Sequence, residues 1–370
     1  MLTIGTYGVL TADEARKIAK VHLGAIAQGA DPVEAKKAER GAMTVKELCD
    51  EYIERAAQGL ILTKKGKAKA ASTLDTDKGK IARHIVPLLG KRAVKDVTPA
   101  DVQRAMRDII AGKTAANVKT EKSRAIVKGG NGAASRAIGL LGGIFTYAKS
   151  EGYVAINPVH GVTRPADNVK NWRLDDAGFR ALGTALAAAE QVGAPWQFLA
   201  VVRICALTGA RLGEIEGLKR SEADLPGKAL RLDSTKTGGS IRPIGSVVVA
   251  LLRDAMNLGN SPFVFPGIQT AAHHRATTRW LKKTAETACP GITSHGFRHS
   301  FASVANDLGF ALPTIKALLG HAAPGGVTGG YIHHLDNALI AAADKVSRHI
   351  DTLMQQTAAP AARRHRRRHE

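Results

Sequence analysis

Cysteine is nearly absent. Cys49, Cys205 and Cys289 are the only three in 370 residues, and none belongs to a C-x-x-C pair. A disulfide framework is therefore excluded, and the three read as reduced thiols of a cytosolic protein. The first residues lack the basic-then-apolar pattern of a secretory signal, and no apolar run approaches the roughly 18 residues that a membrane span requires. A soluble, cytoplasmic chain without membrane contact is the expectation. H-E-x-x-H is also missing. No carboxylate cluster accompanies His273 and His274, His333 and His334, or the i,i+4 pair His295 and His299, which argues against a metal-dependent hydrolase. A nucleotide-gripping G-x-x-x-x-G-K-[ST] loop is absent too. Neither metal nor cofactor is expected.

What is abundant is positive charge. Lys and Arg number 53 against 32 Asp and Glu, a formal excess of +21. Such an excess points to a polyanionic partner, nucleic acid first. More than half of it falls in residues 1–165, and the chain closes on the low-complexity R-R-H-R-R-R-H-E, which reads as a disordered basic tail over 353–370.

Periodicity divides the rest. Residues 1–42 hold one helix, opened by Thr11 and Glu14 and ended at G-A-D-P, followed by a charged connector. Residues 43–165 read as an all-helical module, with Thr44 capping a segment that carries Val45, Leu48, Tyr52 and Ile53 on one face. Further helices are expected at about 72–86, 99–111 and 131–151. Its Lys64, Lys65, Lys67, Lys69, Lys78, Lys80, Lys128 and Arg136 are candidate contacts to DNA phosphates. A turn-rich stretch ending at Pro165 leads into residues 166–352. There helices are expected at about 175–190, 195–207, 246–257, 271–288, 295–308, 312–319 and 336–350. The period changes to two over 229–232 and 240–244, two short strands joined by D-S-T-K-T-G-G.

The candidate chemistry lies in this last region. T-S-H-G-F-R-H-S, A-L-L-G-H and G-G-Y-I-H-H supply His295, Arg298, His321 and Tyr331 within about forty residues. T-G-A-R-L-G-E-I adds Arg211 and Glu214, and the strand connection adds Lys236. A phosphodiester is the natural target for this set. Two guanidiniums can fork onto its non-bridging oxygens, and imidazoles can donate to them or move a proton. A phenol can attack phosphorus, and an ammonium can protonate the departing oxygen. Each group alone is commonplace, since a lone Arg is usually a surface charge and a lone Tyr usually packing. Order and spacing together carry the reading. Glu214 is expected to orient Arg211 or pack the turn.

The quoted T-G-A-R-L-G-E-I, H-G-F-R-H and L-L-G-H resemble the boxes of the tyrosine recombinases, also called phage-type integrases. That resemblance implies a mainly α fold with a small β-sheet: a helical, SAM-like core-site-binding domain over 43–165 and a mixed α/β catalytic domain over 166–352, closing as a C-shaped clamp on duplex DNA. It assigns Arg211, Lys236, His295, Arg298, His321 and Tyr331 to the family's six catalytic positions, with Tyr331 the nucleophile that forms a 3′-phosphotyrosine and releases a 5′ hydroxyl. It further implies double-stranded DNA core sites, a homo-tetramer, a Holliday junction intermediate, an excisionase and a DNA-bending host protein as partners, and a bacterial, nucleoid-associated setting. Residues 1–42 resemble the end of an arm-site-binding domain whose preceding strands are nearly all missing. The helix beyond Tyr331, over 337–350, is a candidate for exchange between protomers. The competing readings are relaxation by a type IB topoisomerase, which shares the chemistry, and DNA binding without catalysis.

Overall fold

The computed structural model describes residues 8–28, 41–63, 66–119, 124–166, 172–235, 238–268, 272–320 and 337–356. The architecture is mainly helical with two small antiparallel sheets. The chain divides into two compact units, residues 1–169 and 170–370.

In the first unit, helix α1 (Ala12–Ala27) starts at a reciprocal Thr11–Glu14 cap and buries no residue; Val21, Leu23 and Ile26 stay exposed. Helix α2 (Val45–Ala57) begins the same way. The Thr44 amide donates to Glu47 Oε2 at 2.8 Å and the Glu47 amide to Thr44 Oγ1 at 3.3 Å, a device that typically contributes about 1 kcal/mol. Helix α3 (Ala71–Lys80) runs through a π-turn (Ile81–Ile85) into the short α4 (Val86–Leu89). Helix α5 (Pro99–Ile110), capped by Thr98 and Asp101, packs against α6 (Asn131–Ser150). Their apolar stripes close one core around Leu48, Tyr52, Ile85, Val102, Ile109, Leu141 and Phe145.

This unit is not all helix. Strands β1 (Ala116–Lys119) and β2 (Arg124–Val127) pair antiparallel, Ala116 facing Val127 and Lys119 facing Arg124. The sequence hid them because each has only four residues, and Ile126 is 61% exposed.

The second unit is built around α8 (Trp196–Thr208), which is apolar on nearly every side and buries Phe198, Val201, Val202, Ile204 and Cys205 among others. A helix apolar all round belongs in the middle. Around it lie α7 (Asp176–Gln191), α10 (Ser246–Asn257), α11 (Thr277–Thr284), α12 (Ser294–Asp307) and α14 (Asn337–Gln355). Two short helices, α9 (Leu212–Glu216) and α13 (Leu312–Leu318), complete the set. Three antiparallel strands, β3 (Ala223–Asp224), β4 (Ala229–Thr235) and β5 (Gly238–Pro243), form the sheet, with Leu230 opposite Arg242.

The helix expected over 271–288 is shorter. Pro266 bridges His273, and the His274 amide donates to Phe265 O at 2.8 Å. Residues held in those bridges cannot enter a helix, so α11 begins only at Thr277.

Helix α14 docks on its own chain. Its Val346, Ile350 and Leu353 are buried, Asp344 Oδ1 accepts from the Ser246 amide at 2.7 Å at the start of α10, and a Cβ on Gly183 of α7 would run into Met354 O. Gly183→Ala should therefore force α14 off α7, destabilising the fold by about 1–3 kcal/mol. A urea melt should show a lower midpoint at unchanged slope. An unshifted midpoint would mean that α7 and α14 are not in contact at this point.

Candidate active site

The site grows from the end of α8. The chain leaves that helix through Gly209 at φ 61°, where a Cβ would press on Leu319 and Phe301 at 2.8 and 3.0 Å. Both the left-handed turn and the close approach require glycine. Two residues on, Arg211 precedes α9. Its amide donates to Glu214 Oε2 at 2.9 Å and its Nη1 to Glu214 Oε1 at 2.8 Å. Glu214 thus fixes Arg211 in place at both backbone and side chain.

His295 and Arg298 lie three apart on α12, hence on one face. Gly296 between them meets the Trp172 ring, with which any Cβ would collide, and Trp172 is itself tied to Pro290 O by a 2.8 Å hydrogen bond. The glycine of H-G-F-R is a packing requirement. Phe297 and Phe301 anchor α12 in the core.

Arg298 is 5% exposed. Its Nη1 donates to Gly209 O at 2.9 Å and its Nη2 to Leu319 O at 2.8 Å. One guanidinium therefore joins the turn before Arg211 to the turn before His321. Five N–H groups leave capacity for an anion beyond these two carbonyls. Burial pushes the Arg298 pKa down to about 10, with Arg242 and Arg211 adding repulsion and Glu214 opposing it. The group remains protonated at neutral pH.

His295 also lies in this field. Its pKa is lowered, first by burial and then by His299, Arg298 and Arg211, and its ring stands edge-on to that of His299 at 4.8 Å. Its neutral form, a proton acceptor, is favoured at pH 7. In a titration of the DNA-free protein followed by NMR, His295 should have its midpoint below the ordinary value of about 6.5. A depressed pKa stabilises the native state above the unfolded-state value, and that contribution is lost as pH falls through the folded-state value. A midpoint above 6.5 would remove His295 from this positive field.

The structure thus gathers Arg211, His295 and Arg298. Lys236, His321 and Tyr331 lie outside the described residues, although their anchors are visible: Thr235 pairs with Gly238, and Gly320 turns at φ 63°. Among the described residues, no cluster of His, Cys, Asp and Glu could hold a metal ion, and no helix is long and apolar enough to cross a membrane.

Sequence reasoning missed Arg242. It is 1% exposed and, among the described residues, the largest fully buried side chain, with Nη2 2.8 Å from Glu214 Oε2. The signal available was a charged residue at an inward position of a period-two strand, whose neighbour Ile241 faces outward.

Of the candidate phosphate contacts, Lys67, Lys78, Lys128 and Arg136 are exposed, while Lys64 and Lys65 lie outside the described residues. Lys69 turns inward. Its Nζ is 2.8 Å from Asp77 Oδ2 and sits over the Tyr52 ring, and Lys80 meets the same buried carboxylate at 3.1 Å. Their charge is spent within the protein.

Residues 181–338 match the model of the phage integrase family. Prophage integrase IntS of Escherichia coli (strain K12) is 25% identical over 345 residues, which cover 90% of this chain and 82% of the relative. The integrase of Shigella phage Sf6 gives the same identity and coverage. Among solved structures, a lambda integrase tetramer bound to a Holliday junction superposes with TM-score 0.62 at 16% identity, covering 87% of this chain and 92% of that one. A lambda integrase dimer bound to a COC′ core site gives 0.59 at 18%, covering 76% and 96%.

Proposed function

We propose that this chain, whose residues 181–338 match the phage integrase family model and which is 25% identical to a prophage integrase over 345 residues, is a site-specific DNA recombinase that cuts and rejoins strands through a 3′-phosphotyrosine and a Holliday junction, integrating or excising a mobile element. The observation that carries this reading is the Arg298 fork, which fastens the turn before Arg211 to the Leu319–Gly320 turn.

In this reading Arg211 and Arg298 hold the non-bridging oxygens and stabilise the charge that builds on them in the transition state. The Tyr331 oxygen attacks phosphorus, the bond to the 5′ oxygen breaks, Lys236 gives that oxygen its proton, and His295 takes the phenol's proton. His321 donates to a phosphate oxygen. The bond energy stays in the phosphotyrosine, so rejoining by a 5′ hydroxyl reverses the same steps. The working partner is double-stranded DNA, gripped in part by Lys67, Lys78, Lys128 and Arg136, and the working assembly is a tetramer. An excisionase and a DNA-bending host protein would set direction. The solved relatives support this by likeness, as a dimer on a core site and a tetramer on a Holliday junction.

The test is covalent trapping. A duplex selected for binding from a randomised pool, nicked beside the cleavage point so that the short 5′ fragment is lost, should leave the protein attached to a DNA 3′ end in EDTA. No adduct, or one formed only with a divalent ion, overturns the reading.

A further inference from the structure

We propose that Arg242 is a positioning residue for phosphoryl transfer: it shares the Glu214 carboxylate with Arg211, so that Arg211 is oriented without being neutralised, and it supports the Gly320 turn that precedes His321. This rests on the recombinase reading above.

Arg242 is poorly explained as a packing residue. Taking a guanidinium out of water is costly unless its hydrogens are satisfied, yet its Nε and Nη1 have no hydrogen-bond partner. Nη2 meets Glu214 Oε2 as a close charge contact at 2.8 Å. An aliphatic side chain would fill the inward place on β5 at lower cost. What Arg242 supplies is charge, and the charge sits behind the groups proposed to grip phosphate.

Glu214 receives Arg211 on Oε1 and Arg242 on Oε2. With Arg298 this makes three guanidiniums around one carboxylate; Arg211 lowers the proton affinity of Arg242, and both lower that of Arg298, in each case after burial. The surplus is positive, which suits an incoming phosphodiester. Without Arg242 the Glu214 Oε2 atom would lose its guanidinium contact, and the carboxylate would compete with the phosphate for Arg211.

The second role is geometric. A Cβ on Gly320 would collide with Arg242 Nε and lie 2.7 Å from Ser240 Oγ, so the turn rests directly on the Arg242 side chain. Arg298 holds the carbonyl of the preceding Leu319. Arg242 thereby links β5, the start of α9 and the L-G-H turn.

The experiment compares cleavage of two nicked duplexes, one with the ordinary phosphodiester and one with a neutral methylphosphonate at the scissile position. Arg242→Met should lower the cleavage rate on the phosphodiester at least about 100-fold, the scale of a lost transition-state donor, and on the methylphosphonate less than about tenfold. Adding Glu214→Gln, which removes the competing charge, should recover part of the phosphodiester rate. Arg242→Lys should stay within about tenfold of wild type on both. If Arg242→Met does not accumulate as folded protein, Arg242→Gln is scored by the same ratio. Equal losses on both substrates, or no loss on either, overturn the positioning role. Failure of the wild-type protein to form any adduct would instead overturn the recombinase reading on which this rests.

Discussion

Arg298→Ala is expected to abolish strand cleavage and to weaken the fold at the same time. Its guanidinium is the hydrogen-bond partner of Gly209 O and Leu319 O, and a buried acceptor left without a partner costs about 1–3 kcal/mol. Loss of repulsion from Arg211 and Arg242 offsets part of this, since those charges add to the burial that pushes the Arg298 pKa down to about 10. The net effect should still be a clear drop in the urea midpoint. Arg298→Lys separates the two roles. It keeps the positive charge but cannot fork onto two carbonyls and a phosphate together, so stability should recover in part while cleavage stays down by about 10²–10³. A fully stable Arg298→Ala protein would show that the two turns hold themselves.

Tyr331→Phe is expected to leave DNA binding unchanged and to form no covalent adduct. The described tyrosines, Tyr52, Tyr147 and Tyr153, are poor candidates for attack on phosphorus. Tyr147 donates to Glu51 Oε1 at 2.6 Å, and burial together with that carboxylate drives its pKa well up. Tyr153 shares the same carboxylate at 3.1 Å, and its pKa is raised as well. Tyr52 is buried beneath Lys69. A nucleophile needs the opposite environment, a field of positive charge that favours the phenolate. Peptide mapping of the trapped wild-type adduct checks the assignment, and an adduct on any other tyrosine would sink it.

Legibility followed distance along the chain. Helix starts were readable because a cap is local: Thr11 with Glu14 and Thr44 with Glu47 act over three residues. Arg211 and Arg298 were readable because each sits in a compact motif whose glycine serves a nearby constraint. Arg242 was not, since its partners Glu214 and Gly320 are 28 and 78 residues away, and nothing local marks an arginine as buried. Lys69 misled for the same reason. In sequence it belongs to a basic loop, and only the fold brings Asp77 and Tyr52 to it. The β1–β2 hairpin escaped because each strand is only four residues long.

The docking of α14 sets a boundary on the reaction. While Asp344 grips the start of α10 and Met354 lies against Gly183, Asn337 is moored to its own subunit. Tyr331 is six residues before Asn337, and a fully stretched chain spans at most about 3.6 Å per residue. If Tyr331 is the nucleophile, as proposed above, its oxygen can work only within a leash of roughly 20 Å, plus its own side chain, from that mooring. On that proposal, a phosphate lying farther off in a neighbouring protomer would be reached only after the helix let go, which would tie strand exchange to the docking strength of α14.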